Sequence, residues 1–180
     1  METRVFLMSL IPVRKQFPNL TKREIEILAG NYVVKKVFSK LFGYETIEIN
    51  RIGKPYIEGC PYQFNISHSG DWLLLAVGDV PIGADIEKIT KIRPKTMEKF
   101  FTLTEQERVS ANGAEEFFKI WTQKESYVKF TGEGIKGVSK KSDYPEEIAF
   151  FSKKHEHYQI TVCTEKNHLP KNVEILSYLL

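Results

Sequence analysis

Two carboxylates two residues apart, at the end of an apolar run, constrain this chain more than any other feature. In Ile82-Gly83-Ala84-Asp85-Ile86-Glu87 the apolar approach predicts a strand, and alternate side chains of a strand share a face. Asp85 and Glu87 therefore project side by side while Ile86 turns the other way. Such a pair resists burial unless something positive neutralises it, and a hard divalent cation with oxygen ligands would do so. Trp121-Thr122-Gln123-Lys124-Glu125 adds Glu125 as a third oxygen donor, with Lys129 one helical turn later.

The chain has 180 residues, the length of one domain or of two small halves sharing a core. Its 42% hydrophobic content, with 12 phenylalanines, is ample for a packed interior. A net charge of +3 is too slight to argue for nucleic acid. Cys60 and Cys163 form no CxxC pair, so neither a zinc site nor a disulfide framework is signalled, and reduced thiols in a cytoplasmic protein are the expectation. The apolar Val5-to-Ile11 stretch follows Glu2 rather than a basic flank and reads as a first strand, not a signal peptide. No segment reaches the roughly 18 apolar residues of a membrane span.

The coarse reading is α+β. Thr21-Lys22-Arg23-Glu24 is a capping box that opens a helix to about Phe42, stopped by Gly43. Ile25, Leu28, Ala29, Tyr32, Val33 and Val37 form its apolar stripe, broken by Lys36. Short strands are expected over Ile47–Ile52, Gln63–Ile66 and Trp72–Val77, with Pro81-Ile82 opening the carboxylate-bearing strand. Beyond it, Lys88 to Lys95 reads as an exposed basic connection and Glu98–Phe101 as a short helix. Thr104-Glu105-Gln106-Glu107 is a second capping box, and a long helix runs over about Ala114–Thr131. Strands near Ile148–Ser152, Tyr158–Thr164 and Val173–Leu180 complete the chain. Residues 1–81 and 82–180 thus form two similar halves, each a long helix on a small antiparallel sheet.

Phe117, Trp121 and Val128 give the long helix a buried stripe interrupted by Lys124. Glu125 and Lys129 lie four apart on its flank, either as a surface ion pair or, with Asp85 and Glu87, as part of a phosphate-handling metal cluster. Asn65-Ile66-Ser67-His68-Ser69-Gly70-Asp71-Trp72 ends a strand and turns, a setting that suits an anion or simply a self-stabilised turn. A Ser67–His68 dyad is implausible, because neighbours diverge on extended backbone and no GxSxG elbow surrounds them. Gly53-Lys54-Pro55-Tyr56 could border a purine and a phosphate or merely connect strands. Glu105 reads as a first-turn acid favoured by the helix dipole. Gly132-Glu133-Gly134-Ile135-Lys136-Gly137 matches GxGxxG but follows a helix, so it is no dinucleotide site; its glycines end the helix and begin a mobile loop. His155 and His157 read as surface histidines, with no third ligand nearby.

Five segments in order carry a resemblance: GKP at 53–55, FNISHSGDW at 64–72, IGADIE at 82–87, FFTLTEQE at 100–107 and WTQKESYVKFTGEG at 121–134. Together, over roughly residues 51–137, the set resembles the 4′-phosphopantetheinyl transferases, in particular the long monomeric class that activates peptide and polyketide synthases (surfactin synthetase among them). The resemblance implies a pseudo-dimer of two α/β halves with coenzyme A in the cleft between them. It implies magnesium-dependent (or manganese-dependent) transfer of phosphopantetheine from coenzyme A to a serine of an apo acyl or peptidyl carrier protein, releasing adenosine 3′,5′-bisphosphate. By motif, Asp85, Glu87 and Glu125 would hold the metal. Ser67 and His68 would approach the ribose-bound phosphate, Gly53, Lys54 and Pro55 would border the adenine, Lys129 would contact the pyrophosphate, and Asn65 would join them in binding coenzyme A. Glu125 would take the serine proton, and Lys129 would protonate or shield the leaving phosphate. The upstream cations of the class are represented by Arg14, Lys15, Lys22 and Arg23, but Glu26 stands where a helix arginine would align.

Two rival readings use the same residues: a metal-dependent pyrophosphate hydrolase acting on coenzyme A or a nucleotide, and a non-catalytic binding module for coenzyme A or a carrier protein. Residues 132–141, rich in Gly and Lys, form the candidate carrier-docking loop.

Overall fold

The computed structural model describes residues 2–44, 46–49, 55–133, 138, 140 and 142–178. The N-terminal elements are β1 (Arg4–Ser9), α1 (Ile11–Gln16), α2 (Lys22–Phe42), β2 (Glu48–Ile49), β3 (Pro55–Tyr56), β4 (Gln63–Ser69) and β5 (Trp72–Gly78). They are followed by β6 (Gly83–Lys88), α3 (Pro94–Phe100), α4 (Leu103–Asn112), α5 (Ala114–Thr131), β7 (Ile148–His155), β8 (Tyr158–Glu165) and β9 (Glu174–Leu176). Among the described residues, no helix is long and apolar enough to cross a membrane.

The capping box read at Thr21 is formed, and Gly43 ends α2 in the left-handed conformation at φ 73°. The helix buries Ile25, Ala29, Val33 and Val37 as its periodicity predicts, and Val34 and Phe38 beside them. Lys36, the break in the stripe, donates to the Tyr32 hydroxyl at 3.0 Å and the Ser177 carbonyl at 2.9 Å. It therefore ties α2 to the C-terminal segment.

One sheet has the order β4-β5-β1-β9 and a second the order β6-β8-β7. Alternation along β1 sends Phe6 and Met8 into a core with α2, and Val5 and Leu7 into a second core with Ala84, Ile86, Ile160 and Val162 of the other sheet. On its far side the second sheet receives α5, where Thr122 and Thr161 share a hydrogen bond at 2.7 Å. The layers are therefore α2, sheet, sheet, α5. A third core gathers Phe101, Val109, Phe117, Phe118 and Trp121 around the helices.

Several expectations need correction. The strand β4 continues through Ser67 and His68 to Ser69, and the turn is confined to Gly70-Asp71. The second capping box is Thr102–Glu105, two residues earlier than read, because Thr102 takes the extended cap conformation once Phe101 is pinned in the core. The basic connection is shorter than read, since Pro94 opens α3 as an N-terminal proline can. The last strand is only Glu174–Leu176 and runs parallel to β1 in the N-terminal sheet, so that sheet is mixed rather than wholly antiparallel. Arg4 holds it there through a fork of bonds to Glu174 at 2.7–2.9 Å. Cys60 and Cys163 are free thiols, and burial pushes Cys163 up to about 12. His155 packs edge-on to Trp72 at 4.7 Å. Most of the candidate docking loop, and Gly134 to Gly137 of the GxGxxG match, lie outside the described residues.

Gly83 is required where β6 crosses α5. A Cβ there would lie 1.9 Å from the Ser126 carbonyl oxygen and 2.4 Å from the Phe130 nitrogen. Both are helix backbone and cannot step aside. Gly83→Ala is expected to destabilise the fold by more than about 2 kcal/mol, lowering the melting temperature by roughly 5 °C or more; a thermal melt within a degree or so of the parent would disprove this close packing.

Candidate active site

The two sheets meet where β4 lies beside β6. As an edge strand, β6 has N–H groups on alternate residues with no ladder partner, and three β4 side chains take them. The Asn65 Oδ1 accepts from Ala84 at 3.1 Å, Ser67 Oγ from Ile86 at 3.4 Å, and Ser69 Oγ from Lys88 at 3.0 Å. The other side chains of β6 face α5, which offers Trp121, Glu125 and Lys129 at successive turns of one flank. Between them lies a cleft of about 490 Å³, within the range of small-molecule sites. Asp85 and Glu87 line it from β6, those three residues from α5, Ser67 and His68 from β4, and Arg93 from the start of α3.

Asp85 is 5% exposed. Its Oδ1 accepts from Lys129 Nζ and Ser67 Oγ, each at 2.8 Å. The other oxygen, Oδ2, is buried without a hydrogen-bond partner among the described residues. Burial raises the Asp85 pKa, outweighing the opposing pull of Lys129 and Ser67. Lys129 divides its donors among Asp85, Ser67 Oγ at 2.9 Å and the Ala84 carbonyl at 3.0 Å. It turns to β6 and not to Glu125, so the surface i,i+4 pair is not what this lysine forms. Ser67 consequently donates once and accepts twice, which is the full capacity of a hydroxyl.

Glu87 accepts from Trp121 Nε1 at 3.3 Å, Ser69 Oγ at 3.2 Å and both terminal nitrogens of Arg93 at 3.2 Å. Glu125 opens onto the same cleft; burial, then the negative charge of Asp85, raises its pKa, with Lys129 pulling the other way. Among the described residues, no three carboxylate, imidazole or thiolate groups are gathered as a finished metal cage. The anionic faces are instead occupied by Lys129 and Arg93. The donor set nonetheless fits a hard cation: three carboxylates on one cleft, one of them with a buried oxygen that has no partner among the described residues and two with pKa values raised chiefly by burial.

The cleft thus unites Ser67, His68, Asp85, Glu87, Glu125 and Lys129. Asn65 belongs to the seam and its side chain does not line the cleft. Gly53 and Lys54 lie outside the described residues, and only the backbone of Pro55 is described. None of Arg14, Lys15, Lys22 and Arg23 lines the cleft; Arg14 pairs with Asp71 and the Gly70 carbonyl at the β4–β5 turn. Glu26 stands behind the imidazole, its Oε1 3.3 Å from His68 Nδ1 but not aligned as a hydrogen bond. Sequence reasoning missed Arg93, hidden in a stretch read as a basic linker. It also left Lys124 and Glu105 apart, whereas they form a buried ion pair at 3.0 Å that joins α4 to α5 just behind Glu125. A lysine interrupting an apolar stripe was the available signal for that pair.

A family model for the 4′-phosphopantetheinyl transferase superfamily matches residues 81–176. The chain is 32% identical over 175 residues to the 4′-phosphopantetheinyl transferase psf-1 of Bacillus pumilus, covering 83% of this chain and 75% of that protein. It is 33% identical over 152 residues to the 4′-phosphopantetheinyl transferase Sfp of Bacillus subtilis strain 168, covering 79% and 64%. With the 4′-phosphopantetheinyl transferase AcpT of Escherichia coli K12 the identity is 32% over 164 residues, covering 84% and 80%.

The raised Glu125 pKa has a consequence for stability. A carboxylate whose pKa is higher folded than unfolded opposes folding wherever it is ionised, and that cost fades as pH falls toward its ordinary value. With chelator present, Glu125→Gln is therefore expected to melt higher than the parent at pH 7, the gap closing as pH approaches 4.5, the ordinary value for this group. Melts across that range check it, and a variant no more stable at pH 7 would contradict the confinement described.

Proposed function

The chain belongs to the 4′-phosphopantetheinyl transferase superfamily, and from that premise we propose that it moves phosphopantetheine from coenzyme A to a serine of an apo acyl or peptidyl carrier protein. One observation carries this reading onto the present residues: Asp85, Glu87, Glu125 and Lys129 open onto one cleft at the seam of the two sheets, with an orphaned carboxylate oxygen among them. Asp85, Glu87 and Glu125 would hold magnesium, or manganese in its place. That ion would supply neutralisation of pyrophosphate charge when bound.

The residues do the rest by position and charge. Lys129 lies where it can neutralise charge gathering on the pyrophosphate, once the donor competes for its ammonium group. His68, whose side chain is 45% exposed, is the group available to the ribose-bound phosphate. Ser67 and Asn65, engaged with β6, would support that subsite through the strand edge they hold. Gly53, Lys54 and Pro55 would border the adenine. Glu125 takes the proton of the carrier serine, directly or through a water; its raised pKa moves it toward the range where a general base works well. The serine oxygen forms a bond to the phosphorus beside the pantetheine. The bond from that phosphorus to the bridging oxygen breaks, and adenosine 3′,5′-bisphosphate leaves with the electron pair.

The architecture suits this reading as a pseudo-dimer, residues 1–81 and 82–180 each supplying a sheet and a long helix, with β9 returning to the first sheet. A monomer working in the cytoplasm, on carriers of fatty-acid, polyketide or peptide synthesis, completes the proposal.

The test is incubation with coenzyme A, magnesium and a panel of apo carrier proteins, read by intact mass. The parent is expected to add one phosphopantetheine arm to at least one carrier, and Asp85→Ala to lose about a hundredfold or more in rate with its circular dichroism unchanged. Full activity in Asp85→Ala would refute the metal assignment. Free phosphopantetheine released without any carrier would favour the hydrolase instead.

A further inference from the structure

We propose that Arg93 is a phosphate-binding residue of this cleft, and that its pairing with Glu87 couples binding of the anionic donor to binding of the cation; the inference rests on the transferase reading above. Arg93 caps α3 immediately before Pro94, and its guanidinium lies over the Phe118 ring at 5.2 Å. The head of the side chain is thereby aimed at the cleft. It meets Glu87 as a two-pronged fork, Nη1 to Oε1 and Nη2 to Oε2, both at 3.2 Å. Those distances are long for bonds between full charges, which settle near 2.7–2.9 Å. The pair is loose.

The two partners are also unequally held. Glu87 is fixed by Trp121 and Ser69 as well and is 20% exposed, whereas Arg93 is 43% exposed. The arginine can therefore leave while the carboxylate stays in place. A planar fork that suits a carboxylate suits a phosphate equally well.

Charge gives the exchange its direction. Asp85, Glu87 and Glu125 set three formal negative charges against Lys129 and Arg93, so the cleft is one short of neutral and repels a polyanionic donor. A divalent ion on the carboxylates reverses that sign and competes with Arg93 for Glu87. The released fork then faces the donor's phosphates. Each ligand favours the other by the same factor, as linkage requires.

The experiment uses the full chain and manganese alone as probe, followed by electron paramagnetic resonance, for the parent, Arg93→Gln and Arg93→Lys. Without donor, Arg93→Gln is expected to bind manganese about two- to fivefold tighter than the parent, the scale of a half-exposed ion pair. With coenzyme A the parent should gain manganese affinity and Arg93→Gln should gain less. In the transfer assay the KM for coenzyme A should rise about tenfold in Arg93→Gln while that for the carrier protein stays put. Arg93→Lys, which keeps the charge but not the fork, should match the parent in manganese affinity and fall between the two in KM. Dephospho-coenzyme A separates the sources of the phosphate: a penalty that persists with it assigns Arg93 to the pyrophosphate, and one that disappears assigns it to the ribose-bound phosphate.

An Arg93→Gln protein that binds manganese no tighter than the parent, or whose KM for coenzyme A is unchanged, overturns the proposal. A residue that merely positioned Glu87 would weaken manganese binding when removed. Manganese binding that Asp85→Ala fails to weaken would instead locate the failure in the cation site and overturn both readings.

Discussion

The molecule turns on a strand edge satisfied by side chains. Joining two sheets normally leaves two rows of backbone groups to be paired or exposed. Here Asn65, Ser67 and Ser69 of β4 reach across to the N–H groups of Ala84, Ile86 and Lys88. The backbones are held close without merging into one ladder, and a cleft survives beside the junction. Apolar faces of the two sheets seal the contact behind it, with Val5 and Leu7 against Ala84 and Ile86. Gly83 lets α5 lie against β6 nearly in backbone contact, bringing one flank of that helix to the same opening.

This junction creates the electrostatic character of the site. A carboxylate 5% exposed, such as Asp85, needs compensation for any charge it carries, and Lys129 and Ser67 provide it on one oxygen alone. Burial, with neighbouring carboxylates adding to it, raises the pKa values of Asp85 and Glu125. A cation would relieve what folding imposes there. Lys124 and Glu105 solve a separate problem of the same kind a few ångströms of helix away, by pairing with each other inside the helical core.

Local chemistry was highly legible in the chain. The limits of α2 follow from a capping box, a terminal glycine and an apolar stripe, and the end of α5 from a terminal glycine and its own stripe, all of which act within a few residues. The shared face of Asp85 and Glu87 follows from the period of a strand. Legibility failed where two local signals competed or where the partner lay far along the chain. Thr102 and Thr104 both head a Thr-x-x-Glu motif, and the box forms at Thr102, beside the buried Phe101 and with Glu105 turned inward to Lys124. The short β9 joins β1 in parallel through pairing across most of the chain, and nothing near it announces that partner.

The order of residues by itself determined the main helices, most of the strands, the apolar faces and the four charged groups of the candidate site, because each depends on dihedral preference and side-chain periodicity over short spans. Only the folded arrangement decided what those groups touch. Lys129 reaches Asp85 and not its helical neighbour, Arg93 becomes part of the cleft, and Ser67 becomes a fully engaged bridge. Contacts of that kind depend on distances between strands and helices set by packing, and an alternation or a spacing along the chain carries no information about them.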